Sequence, residues 1–284
     1  MIVPVIIAGG KGLRLWPQSR EQLPKPFVCI VDQDRTLLQS TFERLKVIEN
    51  LQAPLVVCNA AHANLVQAQA ISAGYDDITQ LLEPEGRDTA PAICAAALLV
   101  ERMYGVDATM LVLPADHFIA DEVAFANAVA SGAELAALGL LVTFAMQPTH
   151  PATGYGYLKL GDVIDEAKQQ FKLSAFIEKP DQGTAQKFLG RGGYAWNSGM
   201  FMFKSATLLE SFALWQPEIL KSCKSALPNE TSSTHVLNQK AFSQAPPISI
   251  DYAIMEKATN TATVVADFGW SDVGDWQAVW QAAH

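Results

Sequence analysis

Short apolar runs alternate with helical patterns through the first half of the chain, and that alternation constrains the fold more than any other feature of its 284 residues. Runs rich in Val, Ile and Leu at 3–8, 55–58, 78–82, 109–113 and 140–145 have the length of buried strands. The segments between them, at 36–48, 60–73, 89–104 and 121–138, carry helical patterns. Strand and helix in turn build a mostly parallel sheet covered by helices on both faces, so the expected class is α/β. Beyond residue 150 the pattern changes to β-rich pieces with glycine and aromatics, at 154–157, 171–178 and 195–203. These are read as a substrate-binding half grafted onto the same sheet. The chain thus divides at about residue 150 without a low-complexity linker.

Half of the residues are apolar, enough for a sizeable core. The formal net charge of −9 argues against nucleic acid as a partner. No apolar stretch approaches the ~20 residues needed to span a bilayer, and no basic segment precedes the first apolar run; the expected compartment is the cytoplasm. Cys29, Cys58, Cys94 and Cys223 are scattered and read as reduced thiols, and Cys58 with His62 makes a poor zinc site without further ligands.

In an open α/β sheet ligands sit beyond the carboxyl ends of the strands. That rule places three distant loops along one rim: 9–25, the loop starting at Glu83, and Pro114-Ala115-Asp116-His117. The first contains Gly9, Gly10 and Gly12 followed by Arg14, Arg20 and Lys25, glycines for close backbone approach and cations for an anion. It is neither a Walker loop, which needs Ser or Thr where Gly12 stands, nor a dinucleotide fingerprint, which needs a small residue where Leu15 stands. A dehydrogenase is therefore disfavoured. Asp116 at a strand end and Asp272 beside Gly274 are two carboxylates of the kind a Mg²⁺ site uses alongside phosphate oxygens, although either Asp alone reads equally well as a cap or turn residue. In the loop at 83–92, Asp88 or Thr89 can cap a helix whose N-terminus could receive an anion or a base edge. Glu178, Lys179 and Asn197 suit a sugar phosphate, the first and last through hydroxyls and Lys179 through phosphate, while Trp196 reads as a stacking surface or as core. His117 reads as a base, a ligand or a structural residue.

The ordered set Ala8-Gly-Gly-x-Gly-x-Arg-Leu-Trp-Pro17, Pro24-Lys25, Glu83-Pro84 with Arg87-x-Thr-Ala-Pro-Ala92, Pro114-Ala-Asp-His117, Gly154-Tyr-Gly-Tyr157, Phe176-x-Glu-Lys-Pro180, Trp196-Asn-Ser-Gly-Met-Phe201, Ile250-Asp-Tyr252 with Met255-Glu-Lys257, and Trp270-Ser-Asp-Val-Gly274 resembles the bacterial mannose-1-phosphate guanylyltransferases, or GDP-mannose pyrophosphorylases. The resemblance spans nearly the whole chain. It implies a Rossmann-like nucleotidyltransferase fold (GT-A-like), with a mixed, mostly parallel sheet flanked by helices. It further implies Mg²⁺-dependent attack of mannose 1-phosphate on the α-phosphorus of GTP, giving GDP-mannose and pyrophosphate. Carried over by motif, Arg14 and Lys25 hold the triphosphate and Asp116 and Asp272 the metal. Gly9, Gly10, Gly12 and the Glu83, Arg87, Asp88, Thr89, Ala90 loop take the nucleotide. Gly154, Tyr155, Glu178, Lys179, Asn197 and Asp251 take the sugar phosphate.

The chain departs from the family pattern at Lys11 and Leu13, where Ser and Thr are usual, and at Asp88, where Asn is usual. The alternatives are a glucose-1-phosphate uridylyl- or thymidylyltransferase of the same fold, and a silent sugar-nucleotide-binding relative. The second is disfavoured because Lys25 and both carboxylates are present. A homo-oligomer and a further C-terminal domain are compatible with the resemblance.

Overall fold

The computed structural model describes residues 1–10, 13–230 and 232–283, with the side chain of residue 13 left aside. Lys11 and Gly12, on which part of the reading of the first loop rests, lie outside the described residues, as does the Leu13 side chain.

The strands of the first half are β1 (Ile2–Ile7), β2 (Leu55–Asn59), β3 (Thr79–Glu83), β4 (Thr109–Pro114), the short β5 (Phe118–Ile119) and β6 (Leu141–Met146). Between them lie α1 (Leu37–Glu43), α2 (Ala63–Ser72), α3 (Thr89–Tyr104) and α4 (Glu122–Ala137). The second half adds β7 (Tyr157–Asp165), β8 (Gln170–Ile177), α5 (Gln182–Arg191), β9 (Tyr194–Lys204), α6 (Ser205–Trp215), α7 (Pro217–Ala226), β10 (Thr234–Val236), α8 (Gln239–Phe242), β11 (Thr261–Val265), β12 (Trp270–Ser271) and α9 (Trp276–Ala283). The strands and helices expected from apolar periodicity are all present, with ends displaced by a few residues. The first helix is shorter than expected: α1 is closed at its N-terminus by a reciprocal Thr36–Gln39 capping box and passes at Arg44 into a 3₁₀ turn.

Among the described residues ten strands form one sheet in the order β10-β3-β2-β1-β4-β9-β6-β11-β8-β7, and β5 pairs with β12 apart from it. The sheet is parallel from β10 through β4. Then β9 enters antiparallel between β4 and β6. This reversal matters for function. In an all-parallel sheet only strand ends reach the ligand rim, but an antiparallel strand brings its beginning there, so Trp196 and Asn197 arrive beside the end of β6, where Ala145 and Met146 are their partners. A second closure follows, because β7 pairs with β8 and also folds back onto β9. Tyr157 is the partner of both Ile177 and Trp196, so the residues that follow them, Glu178 and Asn197, are brought together.

The core lies in two layers, one on each face of the sheet. Val3, Val5 and Phe203 pack toward α3, α6 and α7 on one side, and Ile6, Phe144 and Met202 toward α1, α2 and α4 on the other. The alternation of Val5 with Ile6 and of Met202 with Phe203 between layers is the period of two in a strand buried on both faces. Truncating Phe203→Ala, on the strand that joins the two halves, is expected to cost about 3–5 kcal/mol of unfolding free energy, read from a urea titration.

Candidate active site

The first loop, the end of β4 and the loop after β12 meet at Lys25. Its side chain is buried, and its ammonium donates to Asp116 Oδ2 at 2.9 Å and, in a short contact, to the backbone carbonyl of Asp272. An ammonium in a half-closed cleft needs acceptors on several sides, and these two come from residues 91 and 247 positions away. Burial pushes the Asp116 carboxyl upward, but Lys25, with a smaller contribution from His117, outweighs it and holds the group below the usual carboxylate range.

His117 is a positioning group in this arrangement. The Trp270 indole N–H donates to His117 Nδ1 at 3.1 Å, which leaves the proton of the neutral ring on Nε2, 4.0 Å from Asp116 Oδ1. Burial, only partly offset by Asp116, lowers the imidazole to about 4, so it stays neutral at physiological pH. Beneath it, the fully buried Arg44 donates to the His117 carbonyl at 2.8 Å and to the Ser40 carbonyl at 3.2 Å, pinning the β4 loop to α1. Nothing in the sequence marks Arg44 as more than a basic residue in a helix.

Asp272 occupies a strained turn. Val273 has φ of +47°, a left-handed conformation that costs a β-branched residue energy and persists only where the surroundings impose it. Asp272 Oδ1 accepts from the Tyr155 hydroxyl at 2.9 Å and from the Gly274 amide at 3.1 Å. A Cβ at 274 would lie 2.8 Å from Asp272 Oδ2, so a larger residue there would displace that carboxylate. Arg14 is exposed and close enough for its charge to be felt at Tyr155.

On the Glu83 side, a cavity of about 470 Å³ is lined by Gly9, Gly10, Pro24, Asn59, His62 and Glu83, among others. Gly10 has φ of +98° and Gly9 turns a bare Cα toward Glu83, where a Cβ would sit 3.5 Å from Oε2. Glu83 is 4 % exposed, its Oε1 has no hydrogen-bond partner among the described residues, and burial raises its carboxyl to about 7. A buried acceptor without a donor is costly unless a ligand completes it.

The loop that follows has the expected Asp88 cap, but its helix N-terminus is occupied. Arg87 is turned back onto Glu85 at 2.7 Å, and Asp88 caps α3 by accepting from the Thr89 amide at 2.7 Å. The Ala90 amide donates to the Ile248 carbonyl at 3.0 Å, the Thr89 hydroxyl accepts from the Ile250 amide at 2.9 Å, and Pro91 has no N–H. The N-terminus of α3 is therefore filled by the chain itself and is not open to an anion or a base edge at these positions.

In the second half, Asn197 is locked. Its Oδ1 accepts from the Thr143 hydroxyl at 2.7 Å and from the Gly199 amide at 3.2 Å, and its amide donates to Asp251 Oδ1 at 3.0 Å. Asp251 opens a π-helical turn, and burial, reinforced by the Glu178 charge, raises it to about 7. The exposed Lys179, at φ of +45°, pairs with the largely buried Glu178 carboxylate at 2.7 Å. Gly156 proves more constrained than Gly154: a Cβ at 156 would meet Glu178 Oε2 at 2.6 Å, whereas one at 154 would meet nothing within 4 Å. Both glycines stand in the same tetrapeptide, and only the pairing of β7 with β8 and β9 tells them apart. Trp196 is core, packed edge-on against Tyr155 and His150. A smaller cavity of about 220 Å³ is lined by residues from both sides, Gly9, Thr89, Asp116, His117, Gly199 and Asp251 among them.

The profile of the nucleotidyl transferases matches residues 3–284. The chain belongs to the nucleotidyl transferase family. Among relatives of this chain, the mannose-1-phosphate guanylyltransferase ManC of Salmonella typhimurium is 43% identical over 289 residues, covering 100% of this chain and 60% of that protein. A mannose-1-phosphate guanylyltransferase of Escherichia coli is 40% identical over 285 residues, covering 99% of this chain and 61% of its own length. The chain thus spans about three fifths of the length of these relatives. A crystal structure described as mannose-1-phosphate geranyltransferase from Thermus thermophilus superposes with a TM-score of 0.84 at 35% identity, covering 99% of this chain and 78% of that one. Among the described residues no helix is long and apolar enough to cross a membrane, and no cluster of three or more metal-ligating side chains is found.

If the Lys25 ammonium is what keeps Asp116 ionised, Lys25→Met should move the Asp116 carboxyl from below to above its usual range, because burial is then unopposed. Carboxyl carbon shifts followed by NMR over pH check this; an unmoved titration would assign the effect elsewhere.

Proposed function

We propose that this nucleotidyl transferase moves a guanylyl group from GTP to mannose 1-phosphate, giving GDP-mannose and pyrophosphate, with residues up to about 150 serving the nucleotide and those beyond serving the sugar phosphate. The observation that carries this reading is the convergence of Lys25, Asp116 and Asp272 on one cleft whose neighbouring cavities run from Glu83 to Asp251. The similarity of 99–100% of this chain to part of the mannose-1-phosphate guanylyltransferases supports the choice of substrates.

Guanine suits Glu83. Its N1–H and N2–H₂ edge offers donors to Glu83 Oε1, a buried carboxylate oxygen with none among the described residues, while Gly9 and Gly10 allow the base to approach the backbone. Arg14 and Lys25 are the cations for the triphosphate. On the other side, Asn197, Asp251 and Glu178 form a polar wall for mannose hydroxyls, and Lys179 takes the sugar phosphate once it leaves Glu178.

Members of the family generally need a divalent metal, and the donor set fits a hard cation that keeps most of its waters. Asp116, held ionised, and Asp272, with Oδ1 already hydrogen-bonded and Oδ2 without a donor among the described residues, are the two residues that would hold Mg²⁺. When bound, the ion supplies charge neutralisation at the phosphate oxygens. The chain needs no general base, since a sugar phosphate is already an anionic nucleophile at neutral pH. An oxygen of mannose 1-phosphate forms the new bond to the α-phosphorus as the bond to the pyrophosphate oxygen breaks. Lys25 and Arg14 lower the mutual repulsion, and the locked Asn197 and Asp251 fix the direction of approach. A cytoplasmic site of action fits this chemistry, because nucleoside triphosphates are held there.

Pyrophosphate release should occur with GTP and mannose 1-phosphate and not with UTP, dTTP or ATP, nor with glucose 1-phosphate; release with another pair would move the specificity and keep the reaction. Asp116→Asn or Asp272→Asn should lower turnover at least about 100-fold in folded protein, the order of a lost preorganised electrostatic contact. GTP binding should weaken about tenfold between pH 8 and pH 6 as Glu83, at about 7, takes up a proton. Glu83→Gln should bind GTP more weakly and lose that part of the pH dependence. The γ-phosphate titrates in both proteins, so the difference between their calorimetric profiles isolates Glu83.

A further inference from the structure

Tyr155 stands in the glycine-tyrosine segment read as facing the sugar phosphate, yet its polar end is turned to the Asp272 turn beside Lys25. Its hydroxyl donates to Asp272 Oδ1 at 2.9 Å, and the Gly274 amide donates to the same oxygen at 3.1 Å. The backbone carbonyl of Asp272 is taken by Lys25. Of the acceptors this residue owns, Oδ2 alone has no donor among the described residues, and glycine at 274 keeps the space beside it clear of a side chain.

The tyrosine is itself held. Its ring packs edge-on against Trp196 with centroids 5.1 Å apart and against Trp270 at 5.3 Å, so the hydroxyl has a fixed address. Trp270 in turn donates to His117, the neighbour of Asp116. One aromatic stack therefore braces the surroundings of both carboxylates. A phenol is protonated at neutral pH and can donate once, and here the donation goes to a carboxylate, the stronger kind of hydrogen bond.

We propose that Tyr155 is a positioning residue for the metal carboxylate: by donating to Asp272 Oδ1 it orients the carboxylate so that Oδ2 is the oxygen offered to the divalent cation. The inference rests on the reading that Asp272 holds the metal. Tyr155 acts through Asp272, and its hydroxyl is thereby withdrawn from the sugar.

The test is Tyr155→Phe, which keeps the ring and its packing and removes only the donor. Mn²⁺ serves as the probe, its binding to the protein with GTP measured by electron paramagnetic resonance, beside calorimetry of GTP binding without metal. The Mn²⁺ dissociation constant should rise about tenfold, the range for a lost outer-shell partner, with metal-free GTP binding unchanged. The Mg²⁺ concentration that half-activates pyrophosphate release should rise in parallel, and excess Mg²⁺ should restore the rate. A purely structural role would instead weaken GTP binding with and without metal alike, and that result would overturn the proposal. Asp272→Asn separates the two levels. If it weakens Mn²⁺ binding and Tyr155→Phe does not, the positioning role fails and the metal seat stands; if neither does, the seat itself fails and the proposal with it.

Discussion

The cleft depends on one ammonium group. Lys25 sits where the first loop, the end of β4 and the turn after β12 come together, and it satisfies acceptors from the other two. Loops carry flexible backbone and would diverge without a shared partner. A buried cation compels them to converge, because without oxygens around it the full cost of leaving water would stand uncompensated. The same charge keeps Asp116 ionised despite its surroundings. Burial and electrostatics are thus coupled at one side chain, and the geometry of the carboxylates follows from it.

Around this centre the aromatic residues work as scaffolding. His150, Trp196, Tyr155, Trp270 and His117 form a continuous series of edge-to-face contacts. Two of their polar edges are turned to the site, the Tyr155 hydroxyl to Asp272 and the Trp270 indole to His117. Such rings are stiff, have few rotamers and present a polar atom at a fixed distance from an apolar body. The conformational strain at Val273 is tolerated in this frame.

Two carboxyls, Glu83 and Asp251, are shifted upward to about 7 by burial, on opposite sides of the cleft. Each stands where hydrogen-bond donors of a ligand would arrive in the proposed reaction. Poised near neutrality, they cost the free protein less than fixed buried charges would, and they become full acceptors when a donor is supplied. The pattern differs from that of Asp116, whose proton is displaced by a neighbouring cation. Burial alone at Glu83 and burial beside a cation at Asp116 give opposite shifts within one site.

Much of this was visible in the sequence. Apolar runs separated by helical patterns determined the strands and helices of the first half, because periodicity and burial are local properties of the chain. Gly9, Gly10, Lys25, Asp116 and Asp272 could be singled out as candidates because residue type carries their chemistry, although either Asp alone reads equally well as a cap or turn residue. What only the tertiary structure decided was direction and partnership. The reversal of β9 and the return of β7 bring Asn197 and Glu178 together, and no local pattern encodes which way a strand will run in a sheet. The filling of the α3 N-terminus by the Ile248 carbonyl, the burial of Arg44 under His117, and the choice of Gly156 over Gly154 all depend on atoms far away in the chain. A residue's type limits which bonds it can make; packing selects the one it does make, because a buried polar atom must be satisfied by whatever the fold has placed within reach.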